Sequence, residues 1–412
     1  MDKYQGIKRK ITRTLFLTQS VVSAAVITTG TVNSIAGADL SGMVAWAGLP
    51  MAVLLLSGAL GSLTWGFLME RIGRRKGLVT GLILGAGGGI LAGSALWLET
   101  FSLFLAGMAL FGFGQAAMML GRFAAADVHP LETRGRAMAT VVLGGTVGSI
   151  VGPVLVGPSG LIASRFGLHE LGGPYGASIL LFTTAAAIVL IWLRPDPSEI
   201  ARERSLQEHP SPGMAKAVRP FREIVSQPGV RIAILSMVVG QAVMIMVMVI
   251  TSLHMRALGH PLSNIAIVIS AHTFGMYAFS IITGRLVDHM GREPVIMLGA
   301  FILFLAGMSA GLTPFVGPLA VSLLLLGLGW NLCFVGGSVL LTDQLAHAEQ
   351  SRMQGFNDLL VGLASAAGSL GSGFVFAAVG YQTMGFIGAV LALIPFAGAL
   401  WWSRNTLRLA PA

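Results

Sequence analysis

Four residues with soft donor atoms stand out in an apolar part of the sequence. Met244 and Met248 are separated by three residues, and so are His272 and Met276, which begin 28 residues further on. Residues four apart lie on the same face of a helix, so each pair would project from one helix. Thioether sulfur is a poor ligand for Mg²⁺ or Ca²⁺ but a good one for Cu(I), and imidazole also binds copper. The spacing therefore predicts a metal site formed by these four side chains.

Two consecutive membrane helices would have to position this site. At about 1.5 Å of rise per residue, Met244 and His272 are expected at similar depth, with Met248 nearer one membrane surface and Met276 nearer the other. Methionine is frequent in membrane helices, and either motif alone is typical of packing. A histidine in the middle of a membrane helix, however, is costly without a partner. The coincidence of both motifs favours the metal site.

The composition indicates an integral membrane protein. Of the 412 residues, 54% are hydrophobic and 10% are charged, and the mean hydropathy is +0.80; soluble domains carry about 25% charged residues. The net charge of +9 comes from Lys and Arg between apolar runs, so nucleic-acid binding is not expected. The single cysteine, Cys333, excludes an internal disulfide or a Cys-x-x-Cys metal site.

Twelve apolar runs are long enough to cross a bilayer as helices, which need about 20 residues. They cover roughly residues 14–37, 42–69, 77–98, 101–124, 137–164, 175–193, 231–253, 262–284, 295–312, 315–341, 354–378 and 383–402. The predicted fold class is therefore all-α and integral to the membrane. Lys and Arg concentrate in alternate loops, which predicts that both termini are cytoplasmic.

The polar stretch 194–230 divides the chain into two halves. Its prolines and mixed charges predict a cytoplasmic linker between six-helix bundles at residues 1–193 and 231–412. The sequence "GFLMERIGRRK" after the second span matches "GRLVDHMGREP" after the eighth, and "LFGFGQA" at 110–116 matches "LLGLGWN" at 325–331. These matches predict parallel repeats, the arrangement of a transporter that rocks two bundles about a central site.

The first pair of matching loops resembles the signature of the major facilitator superfamily. The residues that carry the resemblance are Gly66, Glu70, Arg71, Gly73 and Arg74, and in the second copy Gly284, Asp288, Gly291 and Arg292. Glu70 stands where that family usually has Asp, and His289 where it has an Arg. The resemblance implies the major facilitator fold and alternating access, with these residues forming contacts between helix ends that break and reform.

The four soft donors resemble a more specific pattern. A Met-x-x-x-Met followed by a His-x-x-x-Met on the next helix is similar to that of CcoA-type bacterial copper importers. The resemblance implies import across the cytoplasmic membrane of a bacterium, with copper as the transported ion and no cofactor. It also implies that the copper supplies assembly of cytochrome oxidase.

A second hypothesis is a carrier of a small organic molecule, such as a riboflavin-like importer or a multidrug exporter. Aromatic and amide groups would then bind the cargo, among them Trp46, Gln115, Trp330 and Asn331. An enzyme is not expected, because the loops contain no nucleophile elbow, phosphate loop or metal–water triad. The expected partners are the copper ion and membrane lipid, and the expected state is a monomer.

Overall fold

The computed structural model describes residues 5–207 and 219–409, and every regular element in these ranges is helical. The helices are α1 (Gln5–Gly30), α2 (Asn33–Ser41), α3 (Leu49–Ile72), α4 (Arg74–Trp97), α5 (Phe101–Met119), α6 (Gly121–Asp127), α7 (Leu131–Arg165), α8 (Gly172–Trp192), α9 (Pro197–Gln207), α10 (Phe221–Ser226), α11 (Pro228–Ala257), α12 (Leu262–Tyr277), α13 (Ser280–Met290), α14 (Arg292–Ser309), α15 (Val316–Asp343) and α16 (His347–Leu409). One 3₁₀ turn, Val44–Trp46, lies between α2 and α3.

The described residues contain twelve helical stretches that are long and apolar enough to cross a membrane, and some of these stretches combine two of the numbered helices. They fall in eleven continuous segments, of which the last, Arg352–Arg404, contains two crossings. These two are divided at Gly380, whose φ of 76° and ψ of 174° interrupt α16. Ten single crossings and one double crossing give the predicted twelve, so the prediction of an all-α integral membrane fold is confirmed.

The described residues form two compact units. Unit 1 comprises those of Met1–Gly42 and Leu49–Pro212, and unit 2 comprises Met43–Gly48 and those of Gly213–Ala412. The segment 43–48 is grouped with unit 2, whereas the predicted first bundle, residues 1–193, includes it. The Ser369 hydroxyl donates to the Gly48 carbonyl over 2.9 Å, and the rings of Trp46 and Phe374 meet edge to face at 5.3 Å. Of the predicted linker, residues 208–218 lie outside the described ranges.

Close helix contacts in both units depend on glycine. In unit 1, a Cβ at Gly148 of α7 would collide with the Ser20 carbonyl of α1. In unit 2, a Cβ at Gly327 of α15 would collide with the His272 carbonyl of α12. Small residues at such crossings let backbones approach closely and gain dispersion contacts, which drive helix association in lipid.

The two units repeat one another in detail. Gly73 and Gly291 precede α4 and α14 with φ of 91° and 90°, respectively. At the opposite end of each unit, a buried tyrosine bonds to the first membrane crossing, Gly6–Ser41 in unit 1 and Pro228–Ala257 in unit 2. The Tyr175 hydroxyl donates to Asn33 Oδ1 over 2.6 Å in unit 1, and the Tyr381 and Thr251 hydroxyls lie 2.8 Å apart in unit 2.

Candidate functional site

His272 lies on α12, fully buried at the contact with α15. Its Nδ1 lies 3.0 Å from the Leu323 carbonyl of α15. A carbonyl can only accept, so this hydrogen bond requires the proton on Nδ1 and leaves the lone pair on Nε2. Nε2 has no hydrogen-bond partner among the described residues. A backbone carbonyl that fixes the imidazole in this way is the usual support of a histidine ligand, which then binds through the other nitrogen.

The three candidate methionines are also buried in unit 2. Met244 and Met248 lie on α11, and Met276 lies one turn after His272 on α12. No hydrogen bond joins His272 Nε2 to any of the three sulfurs. Nor do the described residues include a cluster of three or more His, Cys, Asp or Glu side chains suited to a metal. A metal site here would therefore depend on thioether ligands.

The packing of α11 against α15 sets the depth of the methionines. Gly240 lies against Cys333, at 3.3 Å from the position of a Cβ, and Trp330 Nε1 donates to Gln241 Oε1 over 2.6 Å. The helices thus run antiparallel, and continuing this register places Met248 opposite the turn of α15 that contains Leu323. Because Leu323 also contacts His272, Met248 rather than Met244 is level with the imidazole. Both pairs lie on helices that pack against α15, and their role as ligands remains a prediction.

An aromatic cluster lies two to three turns along α15 from Leu323. We call Trp330, Phe334, Tyr277 and Gln241 the Trp330 cluster. The rings of Trp330 and Phe334 stack at 5.0 Å with 25° between their planes, and Tyr277 meets Trp330 edge to face at 6.3 Å. All four side chains are only half-buried, unlike His272. The cluster therefore presents partly exposed π surface and one amide between α11, α12 and α15.

The helices around this cluster carry few charges. The Asp, Glu, Lys and Arg residues of α11, α12 and α15 are Arg231, Arg256 and Asp343, each within four residues of a helix end. A charged cargo would find no countercharge on these helices at the level of Trp330. The cluster suits a neutral ligand with aromatic or amide groups.

Asn331, proposed above as a cargo ligand, is engaged inside unit 2. Its Nδ2 donates to the Met276 carbonyl over 2.7 Å and to the Ser280 hydroxyl over 2.9 Å, and its Oδ1 accepts from the Thr283 hydroxyl over 2.6 Å. These bonds span residues 278–279, where α12 ends and α13 begins. Backbone groups freed at a helix break need partners in a membrane. Asn331 therefore holds the break together.

Two other proposed cargo residues have distinct surroundings. Gln115 of α5 is half-buried in unit 1, and its Oε1 is buried without a hydrogen-bond partner among the described residues. Trp46 packs on Phe374 within unit 2. Trp46 and Trp330 are both half-buried beside aromatic rings, and Trp330 also bonds to the amide of Gln241.

Comparison with known proteins decides the family. Residues 15–268 and 232–411 match the model of the Major Facilitator Superfamily. The chain belongs to the Major Facilitator Superfamily. It is accordingly a multi-pass membrane protein and a secondary transporter.

Individual members of the superfamily resemble the chain over most of its length. It is 33% identical to the MFS-type transporter YdeG of Bacillus subtilis, over 94% of this chain and 91% of that protein. It is 28% identical to the riboflavin transporter RfnT of Brucella anthropi, over 86% of each. A bacterial homologue of the human lysosomal transporter Spinster, solved in an inward-facing and unoccupied conformation, has a TM-score of 0.71 at 15% identity and covers 100% of both chains. That likeness concerns the fold alone.

The superfamily signature forms an ion pair in each unit. Arg74 Nε donates to Asp127 Oδ2 over 2.9 Å in unit 1, and Arg292 Nε donates to Asp343 Oδ2 over 2.6 Å in unit 2. In unit 1 the Asp196 carboxylate also accepts from the backbone N–H groups of Arg74 and Arg75, which begin α4. The signature arginines thus hold the ends of helices together within each unit.

The other signature residues differ in their surroundings. Glu70, Arg71 and Asp288 are exposed. No described atom lies within 4 Å of the place where a Cβ would stand on Gly66 or Gly284. Close packing therefore does not explain the two glycines, and the gating role of all nine signature residues remains a prediction.

Asp127 and Asp343, the acidic partners of the signature arginines, are not among the residues predicted from the sequence. Asp127 and Asp343 follow the signature arginines by about 50 residues and end α6 and α15, equivalent places in the two repeats. An acid recurring at the end of the fourth crossing of each half is a signal that the repeat comparison could have used.

Proposed function

We propose that the chain imports a neutral, planar organic molecule of the riboflavin class. The proposal includes the cytoplasmic membrane of a bacterium as its location, with both termini in the cytoplasm. The observation that carries it is the Trp330 cluster, a half-buried stack of aromatic rings in the middle of unit 2, on helices whose charges lie at their ends.

The chemistry of such a cargo suits the cluster. A flavin ring is flat and polarizable, so it can stack on an exposed indole, and stacking of a base on an aromatic side chain contributes about 1–3 kcal/mol. The ring edge carries amide-like donors and acceptors that Gln241 can meet by exchanging its bond to Trp330. The resemblance to the riboflavin transporter RfnT supports the same class of cargo.

Uptake of labelled riboflavin tests this proposal in cells that lack their own riboflavin uptake. Expression of the chain should confer uptake, and Trp330→Ala should weaken the apparent affinity by roughly tenfold or more, while Trp330→Phe keeps a stacking surface. Trp97→Ala is the matched control, because Trp97 is 74% exposed at the end of α4. Absence of uptake by the intact chain, or equal uptake by Trp330→Ala, would refute the proposal. Loss of labelled drug from preloaded cells would instead indicate an exporter.

Copper import is the second candidate, and one observation favours it. The buried Nε2 of His272 holds a lone pair that has no partner among the described residues, and Met276 lies one turn further along the same helix. In this candidate Met248, Met244, His272 and Met276 pass Cu(I) through unit 2, and the copper supplies cytochrome oxidase assembly. Neither relative named above is named for copper.

Copper accumulation under copper limitation separates the two candidates. His272→Leu and Met248→Leu should abolish accumulation if copper is the cargo. Met246→Leu is the matched control, since the Met246 methyl lies against Gly388 of α16 on another face of α11. Trp330→Ala should leave copper accumulation intact. Unchanged accumulation in His272→Leu would remove this candidate.

A further inference from the structure

A basic cleft lies beside the first turns of α1 in unit 1. It has a volume of about 390 Å³ and is lined by Gly6, Arg9, Lys10, Arg13, Thr14, Leu17 and Trp192. Arg9 and Arg13 are four residues apart, so they share one face of α1, and Lys10 with Thr14 and Leu17 forms the adjoining strip. The lining contains three cations and no carboxylate, which makes the cleft a site for an anion.

The other half of this cleft is apolar. Leu17 is 44% exposed and Trp192, at the end of α8, is 49% exposed. The membrane-crossing stretch Gly6–Ser41 begins at the cleft, so the cations lie at the edge of the apolar zone and Leu17 lies one to two turns inside it. Exposed tryptophan is enriched at this level of membrane proteins. The cleft thus combines a cationic rim with an apolar wall.

A neighbouring cleft strengthens the positive field. It has a volume of about 740 Å³ and shares Arg9 and Arg13, and Lys8, Arg136 and His129 also line it, again without a carboxylate. Its remaining lining consists of three threonines with Pro130 and Ala137. The corresponding start of α11 in unit 2 carries one arginine, Arg231, whose Nε donates to the Val225 carbonyl over 3.0 Å. The start of α1 in unit 1 therefore carries more positive charge than the start of α11 in unit 2.

We propose that the cleft between α1 and α8 binds an anionic phospholipid. Arg9, Lys10 and Arg13 bind its phosphate, and its acyl chain lies along Leu17 and Trp192. The charges are complementary, and the apolar wall gives a lipid an advantage over a free phosphate ion, which would gain nothing from it. Each cation near an anionic membrane surface contributes about fivefold in affinity.

The test measures thermal unfolding of the purified full chain in mixed micelles. Phosphatidylglycerol should raise the unfolding midpoint above that in phosphatidylcholine with the same acyl chains, because a ligand that binds the folded chain stabilises it. Inorganic phosphate, added without anionic lipid, should not. Equal midpoints in the two lipids would overturn the proposal, and protection by inorganic phosphate alone would overturn the lipid assignment.

Variants locate the effect in the cleft. Arg9→Gln with Arg13→Gln should weaken the response to phosphatidylglycerol by roughly twenty-five-fold in concentration, and Arg9→Lys with Arg13→Lys should preserve most of it. Arg165→Gln with Arg404→Gln removes the same charge elsewhere and is the matched control, as both arginines are exposed. Trp192→Ala should also weaken the lipid response.

If the control variant weakens the lipid response as much as the cleft variant does, net charge and not the cleft is responsible. If the glutamine pair does not fold, retained lipid counted by native mass spectrometry in the lysine pair and in Trp192→Ala decides the matter.

Discussion

The contact of α3 with α5 in unit 1 and that of α12 with α15 in unit 2 are equivalent but differ in polarity. In each, a glycine of the later helix packs on a carbonyl of the earlier one, Gly112 on Leu54 and Gly327 on His272. The side chain at that carbonyl is leucine in unit 1 and histidine in unit 2. The shared backbone contact shows that the fold needs the glycine and does not need the imidazole.

The two contacts also differ in whether the earlier helix is continuous. In unit 1, α3 runs unbroken from Leu49 to Ile72, whereas α12 and α13 are separated at 278–279 and joined by the bonds of Asn331. Polar side chains inside a membrane helix bundle cost stability unless they are satisfied. The contact of α12 with α15 therefore contains an imidazole and an amide, which fits the proposal that unit 2 binds the cargo.

The largest effect on the polar contact of α12 with α15 is expected when the side-chain amide of Asn331 is removed. Asn331→Ala deletes two donated bonds and one accepted bond at a helix break, so it should cost about 3 kcal/mol of stability and most of the transport activity. Thermal unfolding in detergent measures the loss. Ser62→Ala in unit 1 removes a hydroxyl that bonds only within its own helix and should cost far less. Equal midpoints for the two variants would contradict the role of Asn331.

The next prediction exchanges the side chains of Leu54 and His272, the residues whose carbonyls contact a glycine in the two units. Leu54→His buries an imidazole without a designed partner in unit 1 and should cost about 2 kcal/mol. His272→Leu removes the unpaired Nε2 but also the hydrogen bond from Nδ1 to the Leu323 carbonyl, so the two effects should offset and leave stability within about 1 kcal/mol. Unfolding midpoints of both variants give the comparison. A large loss of stability in His272→Leu would show that the imidazole is needed for packing, which the unit 1 contact argues against.

The two ion pairs should respond more weakly. Arg74–Asp127 and Arg292–Asp343 are partly exposed, and such pairs contribute about 0.5 kcal/mol each. Arg74→Ala should nevertheless perturb the structure less than Arg292→Ala, because Asp196 also holds the start of α4 through backbone N–H groups. Proteolysis rates of the two variants test this order. The double variant Arg292→Asp with Asp343→Arg should restore the proteolysis rate of the unchanged chain. If its rate stays raised, loss of the ion pair is not the cause.

The last prediction concerns the pH dependence of stability, through the carboxylate of Glu349 near the start of α16. Hydrogen bonds from Arg219 lower the pKa of Glu349 to about 2, and the Ala346 N–H helps. A carboxylate with a lowered pKa contributes stability above its ordinary pKa of 4.5 and loses it as the pH falls toward about 2. Between pH 8 and pH 5 this group should therefore cause no change in the unfolding midpoint. Glu349→Gln should flatten the acid side of the profile. An equally steep profile in that variant would assign the acid sensitivity elsewhere.

The crossings and the repeat follow from the sequence because both depend on local properties. Apolar length determines a membrane helix, and the two loop signatures mark the same turn twice. The break at 278–279 does not follow, since neither Ala278 nor Phe279 is a helix breaker. It becomes intelligible only with Asn331, which lies about 50 residues away and bonds across it.

The candidate sites were predictable to different degrees. Helical spacing selects Met244, Met248, His272 and Met276, but relative depth depends on how α11 and α12 each pack against α15. That packing makes Met248 level with His272. The Trp330 cluster depends on ring contacts between α12 and α15 and on a hydrogen bond from α15 to α11, which no spacing in the sequence reveals.

The bond between His272 and Leu323 also provides a spectroscopic reporter. A carbonyl that accepts from Nδ1 confines the imidazole to one tautomer, so its two ring nitrogens should give separate, well-resolved ¹⁵N resonances in isotopically labelled protein. The Nε2 resonance would shift on contact with Cu(I) and stay in place when a flavin stacks on Trp330. One side chain can thus tell which cargo has entered unit 2, independently of any transport assay.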